Sequence, residues 1–449
     1  MKADINEIPN ICDNYNEFDN KQSMVIEAIN QRKNIFVTGS AGTGKSYLLN
    51  FIKKNYSHLN IEFTASTGIA AVNIEGSTIH SWAGIGLANL PIDDIISNLL
   101  SFRGSKARKR IIKAKILAID EISMISAGLL EILDVVFRNI RNHNAPMGGI
   151  QMLLFGDFLQ LPPVFKGGAS IYNNAPLSDS VKFSEFCFES PIWQELKLET
   201  IYLDRVFRQS NENFIKLLQN VRNGIVSEED RAILLSRVAN YNFDDHLIKP
   251  TILTTHNSKA EDINNKETTK IKSPEYIFEA KFSGSEDKIN LLRKNCLAKD
   301  LLRLKTGSQV MMIKNSMQKD GISNGSLGVI RDFSSRKNYP IVEFANQKIV
   351  KIAPDVWTIE RFDIDNKEFV AEASMEQIPL IPSWAITIHK SQGLTLDKAY
   401  CDLSDIFSAG QIYVALSRVR NIEDLYIKAI NINKIVANKT VIDFYQKFS

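Results

Sequence analysis

Features that mark disulfide-bonded, membrane-spanning or exported proteins are scarce in this sequence. Its 449 residues include four cysteines, far apart and without CxxC spacing, which predicts buried thiols rather than a zinc site or a disulfide framework. No apolar run reaches the roughly 18–20 residues that cross a bilayer, so we expect no membrane partner. The N-terminal segment is acidic and polar and lacks the apolar core of a secretory signal. We therefore expect the chain to stay in the compartment where it is made.

The bulk composition is that of an ordinary globular protein, with 44% hydrophobic and 23% charged residues. This length predicts roughly two to four domains, each able to bury its own core. The net charge of +3 says little about partners, but residues 103–115, RGSKARKRIIKAK, carry seven basic side chains and no acidic one. That segment is either a solvated helix face or a patch that neutralises the backbone of a polyanion.

Strands alternate with helices in the first third of the chain, a pattern that predicts a parallel sheet covered on both faces. The predicted strands are 34–38, 61–65, 115–119 and 150–155, and the predicted helices are 44–56 and 124–142. The middle, about 210–300, is predicted to be mostly helical, with a strand near 251–255. Short alternating strands follow over 306–380, and the α/β pattern returns after 381.

These changes of pattern predict two α/β domains, the second interrupted by a small β-barrel. The first domain is predicted to span 1–200, with a small wedge insertion at about 82–112. The second is predicted to comprise 201–305 and 381–449, and the β insertion 306–380.

The segment GSAGTGKS, 39–46, matches the pattern GxxxxGK[ST] between a predicted strand and a predicted helix. Glycines there let backbone amides converge on phosphate oxygens, and a helix N-terminus adds positive field. Lys45 would bridge the β- and γ-phosphates of ATP, and Ser46 would hold Mg²⁺. The predicted nucleotide-binding positions of this loop are Gly39, Gly42, Thr43, Gly44, Lys45 and Ser46.

Two further strand ends carry polar residues suited to triphosphate hydrolysis. In ILAIDEISM, 116–124, Asp120 would complete the Mg²⁺ shell and Glu121 would polarise the attacking water. In LLFGDFLQLPP, 153–163, Gln160 would sense the γ-phosphate. The alternative for the second segment is a rigid, proline-terminated loop.

Two arginines, Arg208 in VFRQ and Arg418 in YVALSRVR, fall in the predicted second domain. An arginine placed on the developing charge accelerates phosphoryl transfer by about 10³–10⁵. If both reach the nucleotide, they do so across a cleft between the domains. Each turnover would then open and close that cleft, which is the motion of a translocation device.

The motifs occur in an order that resembles that of superfamily-one helicases. Their amino-acid sequences closely resemble those of the petite-integration-frequency (Pif) DNA helicases. RecD and Dda are more distantly similar. The resemblance runs from about residue 16 to 432. It rests on Gln22, GSAGTGKS, FTASTGIAA (63–71), TIHS (78–81), DEISM, GDFLQLPP, FRQ (207–209), TIHKSQGLTLD (387–397) and GQIYVALSRVR (410–420).

The resemblance implies two RecA-like domains with ATP between them, single-stranded DNA across their top, and an SH3-like module inserted in the second domain. Gln22 would read adenine, with Phe18 or a neighbour stacking near the base, and Arg208 and Arg418 would be arginine fingers. Gln392 and Gly393 would lie towards ATP. The positions expected at the DNA are Thr64, His80, Trp82, Pro162, Thr387, His389, Lys390 and Ser391, with a buried core role as the alternative for Trp82.

The expected function is an ATP-dependent DNA helicase that translocates 5′-to-3′ and unwinds duplex, forked or structured DNA, G-quadruplexes included. A monomer, acting with other replication or repair proteins in DNA repair, recombination or telomere maintenance, is expected. The expected location is the cytoplasm, at the nucleoid if the source is bacterial or viral. The alternatives are an RNA helicase of the same superfamily, and a DNA-stimulated ATPase that clamps or loads other proteins without unwinding, which the small wedge favours.

Overall fold

The protein is described by a computed structural model that covers residues 19–448, apart from 57–58, 87, 89, 103, 164–184, 240, 244–245 and 364–367. Three regions follow from its sheets: a first lobe, a second lobe and an insertion within the second lobe. Among the described residues, no helix combines the length and the apolar character needed to span a bilayer. Cys187 and Cys401 are buried free thiols and Cys296 is partly buried, whereas Cys12 lies outside the described residues.

The first lobe is built on a parallel sheet whose described strands have the order β3-β2-β4-β5-β1-β6. Its strands are β1 (Ile35–Gly39), β2 (Ile61–Ala65), β3 (Ser77–Thr78), β4 (Ile116–Asp120), β5 (Gln151–Phe155) and β6 (Glu199–Leu203). β1, β4 and β5 are buried along their whole length, which is why they read as continuous apolar runs rather than alternating ones. All four predicted strands of this region are therefore found, each within one residue.

Helices cover both faces of this sheet. They are α1 (Asn20–Asn30), α2 (Lys45–Asn55), α3 (Gly68–Asn73), α4 (Ile79–Ala83), α5 (Ile92–Leu100), α6 (Ser105–Lys113), α7 (Ala127–Arg141) and α8 (Pro191–Glu195). α7 begins where the Ser126 side chain accepts the amide of Leu129, an N-cap that a serine supplies well. The segment 82–112, expected as a small wedge, contains α5, most of α6 and the end of α4 among its described residues.

The second lobe has a smaller parallel sheet in the order β18-β7-β19-β20. Its elements are α9 (Glu212–Arg222), α10 (Glu228–Ser236), β7 (Thr251–Thr254), α11 (Asn257–Lys270), β18 (Ala385–Thr387), β19 (Ala399–Leu403), α13 (Gln411–Leu416) and β20 (Leu425–Ile430). Leu253, Cys401 and Ile427, one from each of three adjacent strands, lie in the core of this lobe.

The insertion is antiparallel β structure with one helix, α12 (Glu286–Asn295). Its sheets have the orders β14-β13-β12-β11-β17, β15-β16-β9 and β10-β8. Its strands are β8 (Glu275–Glu279), β9 (Lys281–Gly284), β10 (Leu301–Lys305), β11 (Gln309–Met312), β12 (Leu327–Phe333), β13 (Pro340–Phe344), β14 (Ile349–Lys351), β15 (Asp355–Asp363), β16 (Glu368–Gln377) and β17 (Leu380–Pro382). The all-β character expected for 306–380 is present; the SH3-like description stays a prediction.

Three observed positions differ from the expected boundaries. β6 lies in the first sheet and crosses position 200, because its parallel pairing with β1 completes that sheet. Helices α9 to α12 make up most of the regular structure over 210–300, as expected, but two strands of the insertion, β8 and β9, also lie there and were not predicted. The last helix, α14 (Lys439–Tyr445), was expected in the second domain, yet it packs on the first lobe, where Phe444 stacks on Phe188 with ring centroids 4.1 Å apart.

Candidate nucleotide and nucleic-acid site

The loop between β1 and α2 has the backbone of a phosphate-binding loop. Gly42 and Gly44 have φ values of +85° and +86°, a left-handed conformation that glycine adopts without steric cost. Thr43 donates its hydroxyl to the Ser40 carbonyl at 2.9 Å. The Lys45 ammonium donates to the carbonyls of Gly39 at 2.7 Å and Ser40 at 3.0 Å, so it curls back over the loop. Burial lowers the pKa of Lys45, against the attraction of nearby carboxylates.

The two predicted acids stand at the end of β4, beside the loop. Burial raises the pKa of Asp120 to about 6, and burial together with Asp120 raises the pKa of Glu121 to about 8. Asp120 and Ser46 line the same cleft, of about 1030 Å³. A carboxylate and a hydroxyl beside phosphate oxygens are a donor set that Mg²⁺ accepts, since this ion keeps several waters. These residues therefore fit a nucleotide-bound magnesium ion.

Gln392 joins two of the predicted catalytic residues across the lobes. Its side-chain amide donates to the Glu121 carboxylate at 2.9 Å and to the side-chain oxygen of Gln160 at 3.4 Å. Gly393, the next residue, has a φ of +80° and faces α3, with the Asn73 amide nitrogen 3.9 Å from where a Cβ would stand. The turn expected near ATP thus touches the hydrolytic residues through Gln392, while Gly393 shapes the turn.

The second lobe also contacts the phosphate-binding loop directly, a feature that the sequence did not predict. The Ala41 amide donates to the Tyr413 hydroxyl, on α13, at 2.7 Å. At the start of α13, a Cβ on Gly410 would lie 2.1 Å from the Gln160 carbonyl oxygen, so the lobes meet there backbone to backbone. Tyr413 lies in the GQIYVALSRVR motif, but only the fold reveals that its hydroxyl reaches the loop.

Of the two predicted arginine fingers at this junction, Arg418 is fully buried and Arg208 is partly buried. Arg208 lies against Gly42, where an added Cβ would be 2.7 Å from the arginine Cβ, and burial lowers the pKa of Arg208 to about 10. Arg418 donates to the carbonyl oxygens of Val414 at 2.7 Å and Ser391 at 3.2 Å, both in its own lobe. Burial and the neighbouring Arg208 lower the pKa of Arg418 to about 9, and the Glu121 carboxylate acts against this shift. The Arg418 guanidinium is thus within electrostatic reach of Glu121, whereas the Arg208 guanidinium donates to the Ser417 carbonyl of the second lobe at 3.0 Å.

A buried ion pair that we did not predict lies beside the loop. Asp157, the acid of the GDFLQLPP motif, is fully buried and bonds Arg222 of α9 at 2.7 Å. Tyr445 of α14 accepts the Phe158 amide at 3.1 Å and pairs with the Thr38 hydroxyl at 2.8 Å. Burial opposes ionisation of Asp157, but Arg222 outweighs it and lowers the pKa of Asp157. An acid directly after a buried strand was the only sequence signal for this pair.

The side chains expected near the adenine base lie beside Gly44. Gln22 is buried, in a capping box with Asp19 at the start of α1, and its amide nitrogen is 3.3 Å from where a Gly44 Cβ would stand. The ring of Phe207, half exposed, is 3.7 Å from the same point, and the Arg205 guanidinium lies 4.9 Å from the centre of that ring. Phe18, expected to stack on the base, lies outside the described residues; Phe207 supplies an aromatic ring at that end.

Known proteins resemble this chain along most of its length. Residues 17–232 match the family described as PIF1-like helicase, and 288–333 match the one described as DNA helicase Pif1, 2B domain. The ATP-dependent DNA helicase PIF1 of Xenopus laevis is 36% identical, over 95% of this chain and 64% of that protein. The ATP-dependent DNA helicase Pif1 of Psychrobacter sp. is 33% identical, over 92% of this chain and 68% of that protein. The chain belongs to the PIF1-like helicase family.

Solved structures of Bacteroides Pif1 have the same fold as this PIF1-like chain. With ADP-AlF4 that protein gives a TM-score of 0.83 at 29% identity, over 96% of both chains. The same protein bound to single-stranded DNA gives a TM-score of 0.64 at 30% identity, again over 96% of both chains. The expectation of two RecA-like α/β domains is confirmed. The chain spans 62–64% of the length of its vertebrate PIF1 relatives.

Several positions that we expected at the DNA are enclosed in this PIF1-like fold, and their contact with DNA stays a prediction. The Thr64 hydroxyl donates to the Ala118 carbonyl at 2.8 Å inside the sheet. The Ser391 hydroxyl donates to Ile388 at 2.8 Å, and the Thr387 hydroxyl accepts the Lys390 amide at 3.3 Å, so both stabilise their own turn. Trp82 is 2% exposed, donates to Glu62 and packs edge-on against Phe137, which is the core role.

The remaining expected positions, His80, Pro162, His389 and Lys390, are partly exposed. Burial lowers the pKa of both His80 and His389, so both imidazoles favour the neutral form near neutral pH. Burial and Lys299 lower the pKa of Lys390. His389 lines the same cleft as Glu121 and Gln392. In the basic segment 103–115, of which residue 103 is not described, Lys106, Lys109, Lys113 and Lys115 are exposed around a buried apolar side of α6.

Proposed function

We propose that this chain is an ATP-dependent DNA helicase that translocates 5′-to-3′ on single-stranded DNA and unwinds duplex or forked DNA. The observation that carries the proposal is the nucleotide site that both lobes form. Tyr413 and Gln392 of the second lobe bond Ala41 and Glu121 of the first. The state of the nucleotide and the separation of the lobes must therefore depend on each other. Relatives named as ATP-dependent DNA helicases support the same activity.

Each residue of the site has a definite task in hydrolysis. Lys45 and the loop amides hold the phosphates, and Arg208 and Arg418 offset the negative charge that develops on them. Ser46 and Asp120 would hold Mg²⁺, which neutralises phosphate charge when bound. Glu121 orients the attacking water, and Gln392 fixes the Glu121 carboxylate at 2.9 Å.

The turn that carries Gln392 also carries His389 and Lys390. A shift of Gln392 when the phosphates change therefore moves two side chains that we propose contact the DNA backbone. Alternating grip by the two lobes would advance the strand by about one nucleotide per turnover. Opening one duplex step costs about 1–2 kcal/mol of stacking, comparable to stacking one base on an aromatic ring, so a small wedge formed by α5 and α6 suffices.

The contact between the insertion and the first lobe is expected to change when DNA binds. This chain resembles the Bacteroides protein with ADP-AlF4 more closely than the same protein with single-stranded DNA. β15 of the insertion is joined to the first lobe by Lys53, which pairs with Glu360 at 2.9 Å. We propose that this contact opens when DNA enters.

The Lys45→Ala variant tests the proposal. It is expected to lose ATP hydrolysis and strand displacement while single-stranded DNA binding remains, because the lysine acts on phosphates and not on DNA. Strand displacement is measured on duplexes with either a 5′ or a 3′ tail, and only the 5′-tailed substrate is expected to be unwound. Lys33→Ala is the matched control, since Lys33 pairs with Glu199 at the surface, away from the loop.

Full unwinding by Lys45→Ala would contradict the role of Lys45. Wild-type unwinding of the 3′-tailed duplex alone would reverse the proposed direction. DNA-stimulated hydrolysis with no displacement would identify a clamp or loader instead, and stronger stimulation by a matched RNA oligomer would identify an RNA helicase.

A further inference from the structure

Tyr445, the last residue of α14, reaches the nucleotide site from a helix that belongs to none of the sequence motifs. Its hydroxyl pairs with the Thr38 hydroxyl at 2.8 Å and accepts the Phe158 amide at 3.1 Å. Thr38 directly precedes the phosphate-binding loop, and Phe158 lies two residues before Gln160. One hydroxyl thus joins the segment that leads to Lys45 and the segment that carries Gln160.

The Asp157 carboxylate extends these contacts to the Gln160 side chain. The Tyr445 hydroxyl donates to this carboxylate at 3.4 Å, and the Gln160 side-chain amide donates to it at 3.3 Å. Arg222 donates to both carboxylate oxygens, at 2.7 and 3.0 Å, and so holds the group in one orientation. The side-chain oxygen of Gln160 accepts from Gln392. Because a glutamine amide has one donor end and one acceptor end, these two partners fix the orientation of Gln160.

The Tyr445 hydroxyl keeps its proton in this setting. Burial and the negative charge of Asp157 raise the pKa of Tyr445, against the effect of Arg222. A neutral hydroxyl donates one hydrogen bond and accepts two, so it serves Thr38, Phe158 and Asp157 together. Thr38 and Phe158 are buried, so solvent does not replace this partner when the hydroxyl is removed.

We propose that Tyr445 is a positioning residue for ATP hydrolysis, whose hydroxyl holds Phe158 and Asp157 against β1 and thereby orients Gln160. This inference rests on the proposed role of Gln160 at the γ-phosphate and names the group that orients its side chain. Tyr445 acts through its neighbours rather than on the nucleotide. A misplacement of about 1 Å in a hydrolytic site lowers the rate by up to about 10²-fold, so loss of one such hydroxyl is measurable.

Steady-state ATP hydrolysis with saturating oligo-dT gives kcat and the KM for ATP. Tyr445→Phe keeps the ring and removes the hydroxyl, and it is expected to lower kcat about tenfold. The KM is expected to stay within about twofold of wild type, because Lys45 and the loop backbone that hold the phosphates are not altered.

Tyr202→Phe is the matched control for loss of a tyrosine hydroxyl in the same cluster. The Tyr202 ring lies 6.4 Å from the Tyr445 ring, and the Tyr202 hydroxyl accepts from Arg222 at 3.1 Å. This variant is expected to keep kcat within about twofold of wild type, because Arg222 retains its bonds to Asp157.

Gln160→Ala, alone and combined with Tyr445→Phe, separates positioning from a general structural effect. The double variant is expected to hydrolyse ATP as fast as Gln160→Ala alone, since the side chain that Tyr445 orients is already absent. A structural defect would instead multiply the two losses. Thermal unfolding midpoints and titration with a fluorescent ATP analogue verify that each variant is folded and binds nucleotide stoichiometrically.

Equal kcat of Tyr445→Phe and wild type would overturn the positioning role. An equal loss in Tyr202→Phe, or multiplied losses in the double variant, would overturn it as well. A wild-type rate in Gln160→Ala would contradict the role of Gln160 on which the inference rests. Absence of ATP hydrolysis by the wild type would instead overturn the proposed function itself.

Discussion

Gly42 shows how much one residue decides in this molecule. Its left-handed backbone turns the phosphate-binding loop, and its missing side chain makes room for Arg208 from beyond the first sheet. The Phe207 amide donates to the Gly42 carbonyl at 2.8 Å, so the loop and the arginine segment are joined through backbone as well. The positive φ of Gly42 and the room that Gly42 leaves for Arg208 are two separate requirements, and they can be tested separately.

The Gly42→Ala variant is expected to weaken ATP binding by at least about tenfold. An added Cβ would stand 2.7 Å from the Cβ of Arg208, so the loop or the arginine must move from its position. Binding of a fluorescent ATP analogue measures the loss. Gly86→Ala is the control, because Gly86 also has a positive φ, +59°, but nothing lies within 4 Å of its added Cβ. Equal ATP affinity of both variants would show that the contact with Arg208 is unimportant.

The sequence predicted the chemistry of single residues better than their exposure. Motif patterns placed Lys45, Glu121 and Gln160 in one site and the family resemblance added Gln392; three of these four residues share hydrogen bonds. The sequence does not show, however, whether a hydroxyl already donates a hydrogen bond to a backbone carbonyl inside the protein. The Thr64 hydroxyl does so. For the same reason, the local sequence pattern could not decide whether Trp82 is a buried core residue or a surface residue that stacks on DNA.

At the scale of elements, strands buried in parallel sheets were the easiest to predict. β1, β4 and β5 are continuous apolar runs and were found almost residue for residue. β8 and β10 form a two-stranded ribbon in which exposed residues alternate with more buried ones, and neither strand was predicted, because β8 falls in the stretch expected to be mostly helical. Their pairing partners are more than twenty residues apart, so the local pattern could not reveal the ribbon.

Asp402, near the end of β19, gives a prediction of pH dependence. Burial opposes ionisation of Asp402, but bonds from Ser404 and Lys259 outweigh it and lower its pKa to about 2. A carboxyl whose pKa is lower in the folded state stabilises the fold above the unfolded value of about 3.9, and this stabilisation is lost as the pH falls towards 2. The wild-type free energy of unfolding is therefore expected to exceed that of Asp402→Asn at pH 5, with the difference shrinking between pH 4 and 2.

Urea unfolding at pH 5, 4, 3 and 2 measures this difference. Asp405→Asn is the control, since Asp405 is 67% exposed and lies 3.9 Å from Lys259. The control is expected to track the wild type at every pH. A constant gap between Asp402→Asn and wild type down to pH 2 would exclude the ion pairs as the cause.

The whole molecule consists of two lobes that already touch at the nucleotide site and an insertion that rests on the first lobe. Part of the contact is made by Lys53 of α2, which pairs with Glu360 and also donates to the Ile74 carbonyl at 3.1 Å, and Val72 of the first lobe packs in one apolar cluster with Trp357 of the insertion. A nearby pair, Lys288 with Glu372 at 3.1 Å, lies within the insertion. Neither a motif nor a pattern predicted this docking, because it depends on how two regions distant in sequence meet.

Glu360→Gln is expected to bind single-stranded DNA about two- to fivefold more tightly than wild type, because it weakens a part-buried ion pair that holds the insertion on the first lobe. Small-angle scattering without DNA is expected to show a larger radius of gyration for this variant. The control is Glu376→Gln, which removes the same charge from the same sheet but pairs with Lys281 inside the insertion. If both variants bind DNA equally tightly, the gain comes from net charge and not from release of the insertion.

The return of α14 to the first lobe has a mechanical consequence. The chain passes to the second lobe after β6 and re-enters the first lobe at α14, whose Tyr445 bonds Thr38 and the Phe158 amide. The second lobe is therefore connected to the first through two separate segments of the described chain. We expect these two connections to favour rotation about the line that joins them over free movement of the second lobe.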